Sequence, residues 1–387
     1  MHWIGGRPSV RRGVTQAMAA WHSAGMLARR FTPLLFLALS PSLAAHPAAR
    51  PEEGAAGKTV QVPSGKATPS AIVAAAAEGE WVTIPKADLL VMDLYPPDTA
   101  EELEGRRVVI QLIGPPWSQG WVNNIRRLAA ARWWDGLAVV RVQDNYVAQW
   151  GDPYAENPAL ARPLPSGLQK MPAADYVAGK PGGCGNFAEV CPDPDVRFVT
   201  DPEIRDSYAD HVGFVAGWPV ALKGSLSWPV HCYATVGVGR DLAPDTGSGA
   251  ELYAVIGQAP RQLDRNIAVV GRVIEGIEKL SALPRGTGEL GFYASPEKRT
   301  PILSIRPASE VPDLPRYQYL STSSTSFARY LRARANREDE FYVQPAGGVD
   351  ICNVPVPIRH IPEPAMPAEQ ETVPGDALPA EKPPEAR

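Results

Sequence analysis

Between Trp134 and Pro153 the chain reads WDGLAVVRVQDNYVAQWGDP, a short β-branched run bounded by Asp, Gly, Asn and Pro. Runs of this length and composition form strands rather than helices. Within it Ala138, Val139, Val140, Arg141, Val142 and Gln143 place one cation in an apolar strand, on one face. Such an arginine is either a solvated surface group or a group facing a partner. The strand by itself leaves both open.

Other short runs repeat the pattern. Asp88–Tyr95 and Arg107–Ile113 read as an antiparallel pair joined by a polar loop, and strands resume at Val212–Val215, Val230–Val238, Glu251–Ile256, Ile267–Val273 and Ile302–Ile305. Two segments have helical spacing instead. Ser118–Arg132 sets Val122, Ile125, Leu128 and Ala129 on one stripe opposite Asn123, Arg126 and Arg127, and Glu275–Leu283 aligns Ile277, Leu280 and Leu283. The first stripe suits a helix that plugs the end of a barrel. From Pro153 to Asp210 the chain is rich in Pro and Gly without sustained period, too long for an ordinary loop, and reads as an insertion. Beyond it, 309–361 reads as a structured extension, with a helix at Ser326–Asn336 and strands at Glu340–Val343 and Val349–Val354. Residues 362–387 form a Pro/Glu/Ala tail expected to be disordered.

At 387 residues and 44% apolar content the chain can bury a full core, and a net charge of −4 gives no electrostatic reason to expect nucleic acid or an anionic membrane as partner. The first 45 residues read as a leader. Met26 opens a basic stretch with Arg29 and Arg30, Phe31–Leu39 is apolar but too short to span a bilayer, and Ser42-Leu43-Ala44 offers small residues for cleavage. The expectation is export to the periplasm, or secretion, with no stable membrane insertion after cleavage. Residues 46–80 then form a flexible linker, and order begins near Trp81. In an oxidising compartment Cys184 and Cys191 are expected to close their Gly- and Pro-rich loop as a disulfide. Cys232 and Cys352 either pair with each other or stand as buried thiols.

With LDRNIAVVGRVIEGIEKL at Leu263–Leu280, the opening segment resembles the cyclophilin family of peptidyl-prolyl cis-trans isomerases. The pattern G-L-x-x-x-R-V, an aromatic, then Q-x-G-D stands as Gly136, Leu137, Arg141, Val142, Tyr146, Gln149, Gly151 and Asp152. The resemblance covers about residues 88–306, within a cyclophilin-like domain expected at 81–308, apart from an insertion at 153–210. It implies a mainly β fold, an eight-stranded antiparallel β-barrel capped by two α-helices, carrying the long loop insertion and the C-terminal α+β extension. Arg141 and Gln149 fall on the catalytic arginine and its glutamine. Tyr146, Val147, Glu251, Tyr253 and Leu263 fall on substrate-binding positions.

The implied reaction is rotation about X-Pro bonds in exported polypeptides, assisting their folding. An X-Pro amide has cis and trans forms within about 1 kcal/mol, separated by a barrier of roughly 18–20 kcal/mol. Lowering that barrier calls for no cofactor. It calls for an apolar socket for the ring and a donor to the prolyl nitrogen as its lone pair localises. Some positions depart from the family: Glu251 stands for a glutamine, Gln262 for a tryptophan, Ile267 and Val140 for histidines, and Gly237–Gly249 does not follow the family's loop. These changes trim peptide-binding groups and allow Glu251 to pair with Arg141. The alternative is therefore a catalytically weak or silent barrel that binds proline-containing polypeptide as a chaperone or assembly factor. A secreted hydrolase is disfavoured, since the chain has few histidines and no G-x-S-x-G.

Overall fold

The computed structural model describes residues 67–95, 106–179, 196–197 and 206–361. The leader, most of the linker, the Cys184 and Cys191 pair and the 362–387 tail lie outside the described residues. In chain order the strands are β1 Trp81–Thr83, β2 Leu89–Leu94, β3 Arg106–Leu112, β4 Ala138–Val142, β5 Val147–Gly151, β6 Ala178–Gly179, β7 Val196–Arg197 and β8 His211–Val215. They continue as β9 Trp218–Lys223, β10 Leu226–Pro229, β11 Thr235–Val238, β12 Leu252–Val255, β13 Val269–Glu275, β14 Thr300–Pro307, β15 Tyr317–Leu320 and β16 Ile358–His360. The helices are α1 Pro69–Ala74, α2 Gln119–Ala130, α3 Ile277–Ser281 and α4 Thr325–Ala335. Among the described residues no helix is long and apolar enough to cross a membrane.

The predicted barrel forms. Its order is β11-β12-β5-β4-β14-β2-β3-β13, closed and antiparallel, so every strand has two neighbours and no edge is left open. Alternate residues point inward: Leu90, Met92 and Leu94 of β2, Ile110 and Leu112 of β3, Ala148 and Trp150 of β5 and Leu252 and Ala254 of β12 share one core. The α2 stripe, Trp121, Val122, Ile125, Leu128 and Ala129, enters the same core, as do Leu280 and Leu283 around α3. The outward set of β2 and β3, Leu89, Val91 and Val109, is also buried, because Ile84, Leu314 and Tyr317 cover it. This double burial is why β2 reads LLVMDL without a polar alternation.

Several expectations are corrected. Val212–Val215 is not a barrel strand; as part of β8 it belongs to a separate five-stranded sheet, β6-β10-β9-β8-β7, and β5 completes the barrel instead. The added structure therefore runs to Pro229, past the expected end at Asp210, and only 235–238 of the expected Val230–Val238 strand joins the barrel. Residues 67–80, expected within the flexible linker, carry α1, started by the Thr68 side chain, which accepts from the Ala71 amide at 3.2 Å, with Pro69 at the first helical position. Glu340–Val343 is not a strand: Phe341 and Val343 are exposed, and among the described residues no strand pairs with this run. Val349–Val354 is not a strand either, because Asp350 accepts from the Cys352 amide at 2.8 Å and folds Ile351–Asn353 into a helical turn. The extension's sheet is β1-β15-β16.

A second core joins these additions. Ile72, Trp81, Val212, Phe214, Trp228, Leu320, Phe327, Tyr330, Leu331, Ile351 and Val354 pack together, with the Phe214 and Phe327 rings edge to face at 4.9 Å. Cys232 and Cys352 are joined as a disulfide across 120 residues of sequence, which resolves the two readings left open above. Glu80 ties α1's end of the chain to α4, accepting from the Ser326 amide at 2.9 Å and hydroxyl at 2.6 Å; those bonds hold its carboxyl below the usual range. Arg272 of β13 bridges to the second sheet, donating to the Gly217 carbonyl at 2.8 Å and lying 4.5 Å from the Trp218 ring. Phe327→Ala should destabilise the protein by about 3–5 kcal/mol, the cost of a large buried aromatic, read as a lower midpoint in urea unfolding.

Candidate functional site

On the outer face of β5 and β12, Val147, Tyr253 and Val255 are buried together, and Tyr146, Leu263 and Ile267 pack against them. The parity of the strands dictates this. Ala148, Trp150, Leu252 and Ala254 fill the barrel, so their neighbours Val147, Gln149 and Tyr253 must face outward. Four of the seven predicted site residues, Tyr146, Val147, Tyr253 and Leu263, thus form one apolar patch.

The other three lie beside it. Arg141 pairs across β4–β5 with Gln149, next to an irregularity in the β4–β5 register, and Gln149 pairs across β5–β12 with Tyr253. Arg141 donates from Nη1 to Gln149 Oε1 at 2.9 Å, from Nη2 to Gln143 Oε1, and from Nε to the Leu290 carbonyl at 2.7 Å. The Tyr146 and Phe292 rings sit 5.5 and 5.4 Å from its guanidinium carbon. Burial lowers the Arg141 pKa from its ordinary value, against the attraction of Tyr146 and Glu251. Five N–H donors serve three acceptors, so among the described residues one hydrogen on each terminal nitrogen is uncommitted.

Glu251 does not pair with Arg141. The Gln149 side-chain amide stands between them, taking a bond from Arg141 on its oxygen and giving one from its nitrogen to Glu251 Oε1. Burial raises the Glu251 pKa, offset in part by that bond, and the charges of Glu156, ahead of Arg141's opposing pull, and Asp245 raise it further. The loop after β11, where the sequence departs from the pattern of the family it resembles, is pinned from α2. Trp121 Nε1 donates to the Thr246 and Gly247 carbonyls at 3.1 and 3.0 Å, and Asn124 Nδ2 to Ser248 at 2.9 Å.

Beneath the patch lies a buried polar chain that no local motif signalled. Tyr253 Oη and His231 Nε2 are 2.9 Å apart, and His231 Nδ1 is 2.9 Å from Asp264 Oδ1. Asp264 also accepts from the His231 amide at 3.0 Å and from Arg261 Nε at 2.6 Å, and Arg261 continues to Asp206. Burial alone would raise the Asp264 pKa, yet the bond from His231 and the charge of Arg261 outweigh it and hold the carboxyl below its usual range. Asp264 and the Tyr253 hydroxyl thus hold the His231 ring between them, one on each ring nitrogen. Desolvation pushes that phenol well above its ordinary range, so the hydroxyl stays protonated. The hydroxyl is buried, with Tyr253 only 4% exposed, and it lies so close over Gly237 that a Cβ there would sit 2.3 Å from it. The chain therefore fixes a ring and does no proton transfer at the surface. Both nitrogens of His231 are engaged, and among the described residues no group of three His, Cys, Asp or Glu is placed to hold a metal.

Residues 120–306 match the family model described as cyclophilin type peptidyl-prolyl cis-trans isomerase/CLD. The match begins inside α2 and so leaves out β2 and β3, which the closed barrel nevertheless contains. The crystal structure of the cyclophilin AquaCyp293 from Hirschia baltica superposes with a TM-score of 0.50 at 18% identity, covering 73% of this chain and 97% of that one. A Cryptosporidium parvum cyclophilin type peptidyl-prolyl cis-trans isomerase, crystallised in the presence of the dipeptide Ala-Pro, gives 0.30 at 10% identity, covering 56% and 97%. No curated protein sequence matches.

Glu251→Gln should raise stability near neutral pH. The raised folded-state pKa means that the native state holds this proton more tightly than the unfolded chain does. Wild-type stability is thus full below the ordinary carboxylate pKa of about 4.3 and falls as pH climbs through the raised value, whereas the amide does not titrate. Melting temperatures across pH should show variant and wild type converging in acid and separating toward neutrality.

Proposed function

We propose that this chain, which carries a divergent cyclophilin-type domain, catalyses rotation about X-Pro bonds in polypeptides and so assists their folding. One observation supports this most: a single row across the sheet joins Arg141, with two uncommitted N–H donors, to a buried-floored apolar patch of Tyr146, Val147, Tyr253 and Leu263.

A prolyl ring held on that patch would bring its nitrogen toward the Arg141 guanidinium. As the amide twists out of plane, conjugation is lost and the nitrogen lone pair localises. A charged donor then stabilises the twisted form more than either planar form, which is the differential binding that lowers a barrier. No bond to a heavy atom forms or breaks. Gln143, Gln149 and the Leu290 carbonyl hold the guanidinium in place before substrate arrives, so little reorganisation is left for the twisting step. Gln149, oriented by Glu251, is then limited to fixing Arg141 and offering its remaining amide hydrogen to the peptide backbone.

The same reading places the protein outside the cytoplasm, in a periplasm or secreted. Its support is the basic and apolar leader pattern at Arg29–Leu39 and the Cys232–Cys352 disulfide, which an oxidising compartment favours. The departures at Gln262 and Ile267 leave a second reading, a polypeptide-binding barrel with little or no catalysis. Gln262 is exposed and Ile267 adds only apolar surface to the patch.

Arg141→Ala should reduce kcat/KM for a short X-Pro peptide by at least about 10²-fold, the scale for losing one aimed donor, while peptide binding changes by less than about threefold. The assay is acceleration of cis-to-trans conversion followed by exchange NMR. Wild-type protein that binds the peptide without accelerating its rotation would exclude catalysis and leave the binding reading.

A further inference from the structure

The row across the sheet does not end at Arg141. On the side of β4 away from β5, Arg141 pairs with Phe292 in an isolated antiparallel bridge. Tyr253, Gln149, Arg141 and Phe292 are therefore directly opposite one another in sequence of strands, and directly paired residues present their side chains on the same face. Exposure grows along the row, from Tyr253 at 4% and Gln149 at 8% to Phe292 at 39%. The floor is sealed at one end and open at the other.

Phe292 belongs to a loop, Pro284–Tyr293, that the sequence shows only as PRGTGELGFY and that no recognised motif includes. The loop is rigidly set. Gly286 and Tyr293 donate from their amides to the Val142 and Val140 carbonyls at 2.9 and 3.1 Å, and Tyr293 Oη donates to the Pro284 carbonyl at 2.6 Å. A Cβ at Gly286 would lie 1.9 Å from the Gly291 carbonyl oxygen, so the loop closes on itself only because that position has no side chain. Leu290 adopts φ +54°, a conformation a leucine rarely takes, and its carbonyl is the one that receives Arg141 Nε. A strained residue and an exposed aromatic thus flank the same guanidinium. Leu290 itself is 61% exposed, so the loop presents two large apolar side chains to solvent beside the site.

We propose that Phe292 is a specificity-determining residue of the peptide groove, forming with Leu290 an apolar wall for a large aliphatic or aromatic substrate side chain within two residues of the proline. The geometry sets the distance. Neighbouring strands are about 4.8 Å apart, so the row from Tyr253 to Phe292 spans about 14 Å, which is about four residues of extended peptide at roughly 3.3 Å each. With the prolyl ring on the patch and its nitrogen at Arg141, one further strand spacing brings a residue close to the proline over Phe292. This inference rests on the isomerase reading for its substrate, but the contact is a binding contact and can be measured without catalysis.

The test uses the full chain and a set of alanine-based pentapeptides with a central proline, in which Leu, Phe or Ser replaces the alanine one or two residues before or after the proline. Fluorescence anisotropy gives affinity, and exchange NMR gives kcat and KM. The wild type should prefer Leu or Phe over Ser by about fivefold at one of these positions, the size of a partly exposed apolar contact. Phe292→Ala should bring that ratio to near 1, chiefly through KM and affinity, and Phe292→Leu should restore most of it. Because Phe292 is well exposed, the variants should keep the wild-type melting temperature. An unchanged preference in Phe292→Ala, or no preference in the wild type at any position, overturns the proposal. Loss of rotation with the binding preference intact overturns the isomerase reading and leaves the wall standing.

Discussion

Everything at the site depends on the register in which β12, β5 and β4 are hydrogen-bonded. A strand's side chains alternate with a period of two, so a slip of one residue in β5 would turn Gln149 into the barrel and Trp150 out. What prevents the slip is the interior. Trp150 is fully buried, and Ala148 beside it leaves room for the large residues entering from α2. The polar chemistry on the outer face is held in place by apolar packing on the inner one, and neither face can be altered independently. Arg141 gains a second restraint from the bulged register of β4–β5 and from the loop that follows α3.

The additions to the barrel reach the site through the buried chain under Tyr253. Asp206 comes from the segment before β8, Trp228 from the second sheet and Arg261, Asp264 and His231 from the connections around β11 and β12. Removing one member of such a network strands the others without partners in a low-dielectric interior, which is more costly than never having had them. A phenylalanine in place of Tyr253 would fill the same surface without any of this. The hydroxyl therefore marks a chain whose apolar patch is braced from below by structure outside the barrel.

Part of this was readable from sequence, and the division has a physical cause. Strands with strong β-branched content, the α2 stripe and the run from Arg141 to Asp152 are local patterns, and the residues they name lie together in the folded protein. Contacts made by chain reversal left no such pattern. His231 and Asp264 are 33 residues apart, Leu290 acts through its carbonyl, and Phe292 pairs with Arg141 across 151 residues of sequence by their numbering. The runs at Glu340–Val343 and Val349–Val354 fail for the opposite reason. They are locally strand-like but pair with no strand among the described residues, and a side-chain bond to Asp350 folds the second into a turn. α1 has no stripe to show in the sequence, because a helix of six residues is set by its Thr68 cap and by Ile72 packing.

The second core carries an implication for how the protein must be made. Its members come from residue 72 near one end of the described chain, from 212–232 in the middle and from 320–356 near the other end. A ribosome or a translocation channel delivers these in order, and barrel closure itself requires β14 at 300–307 to return to β2 at 89–94. Until α4 and the segment around Ile351 emerge, Phe214, Trp228 and their neighbours have a face with nothing to cover it. In a chain delivered in that order, this half-core is the last apolar surface to be covered, and residues 320–356 are what cover it.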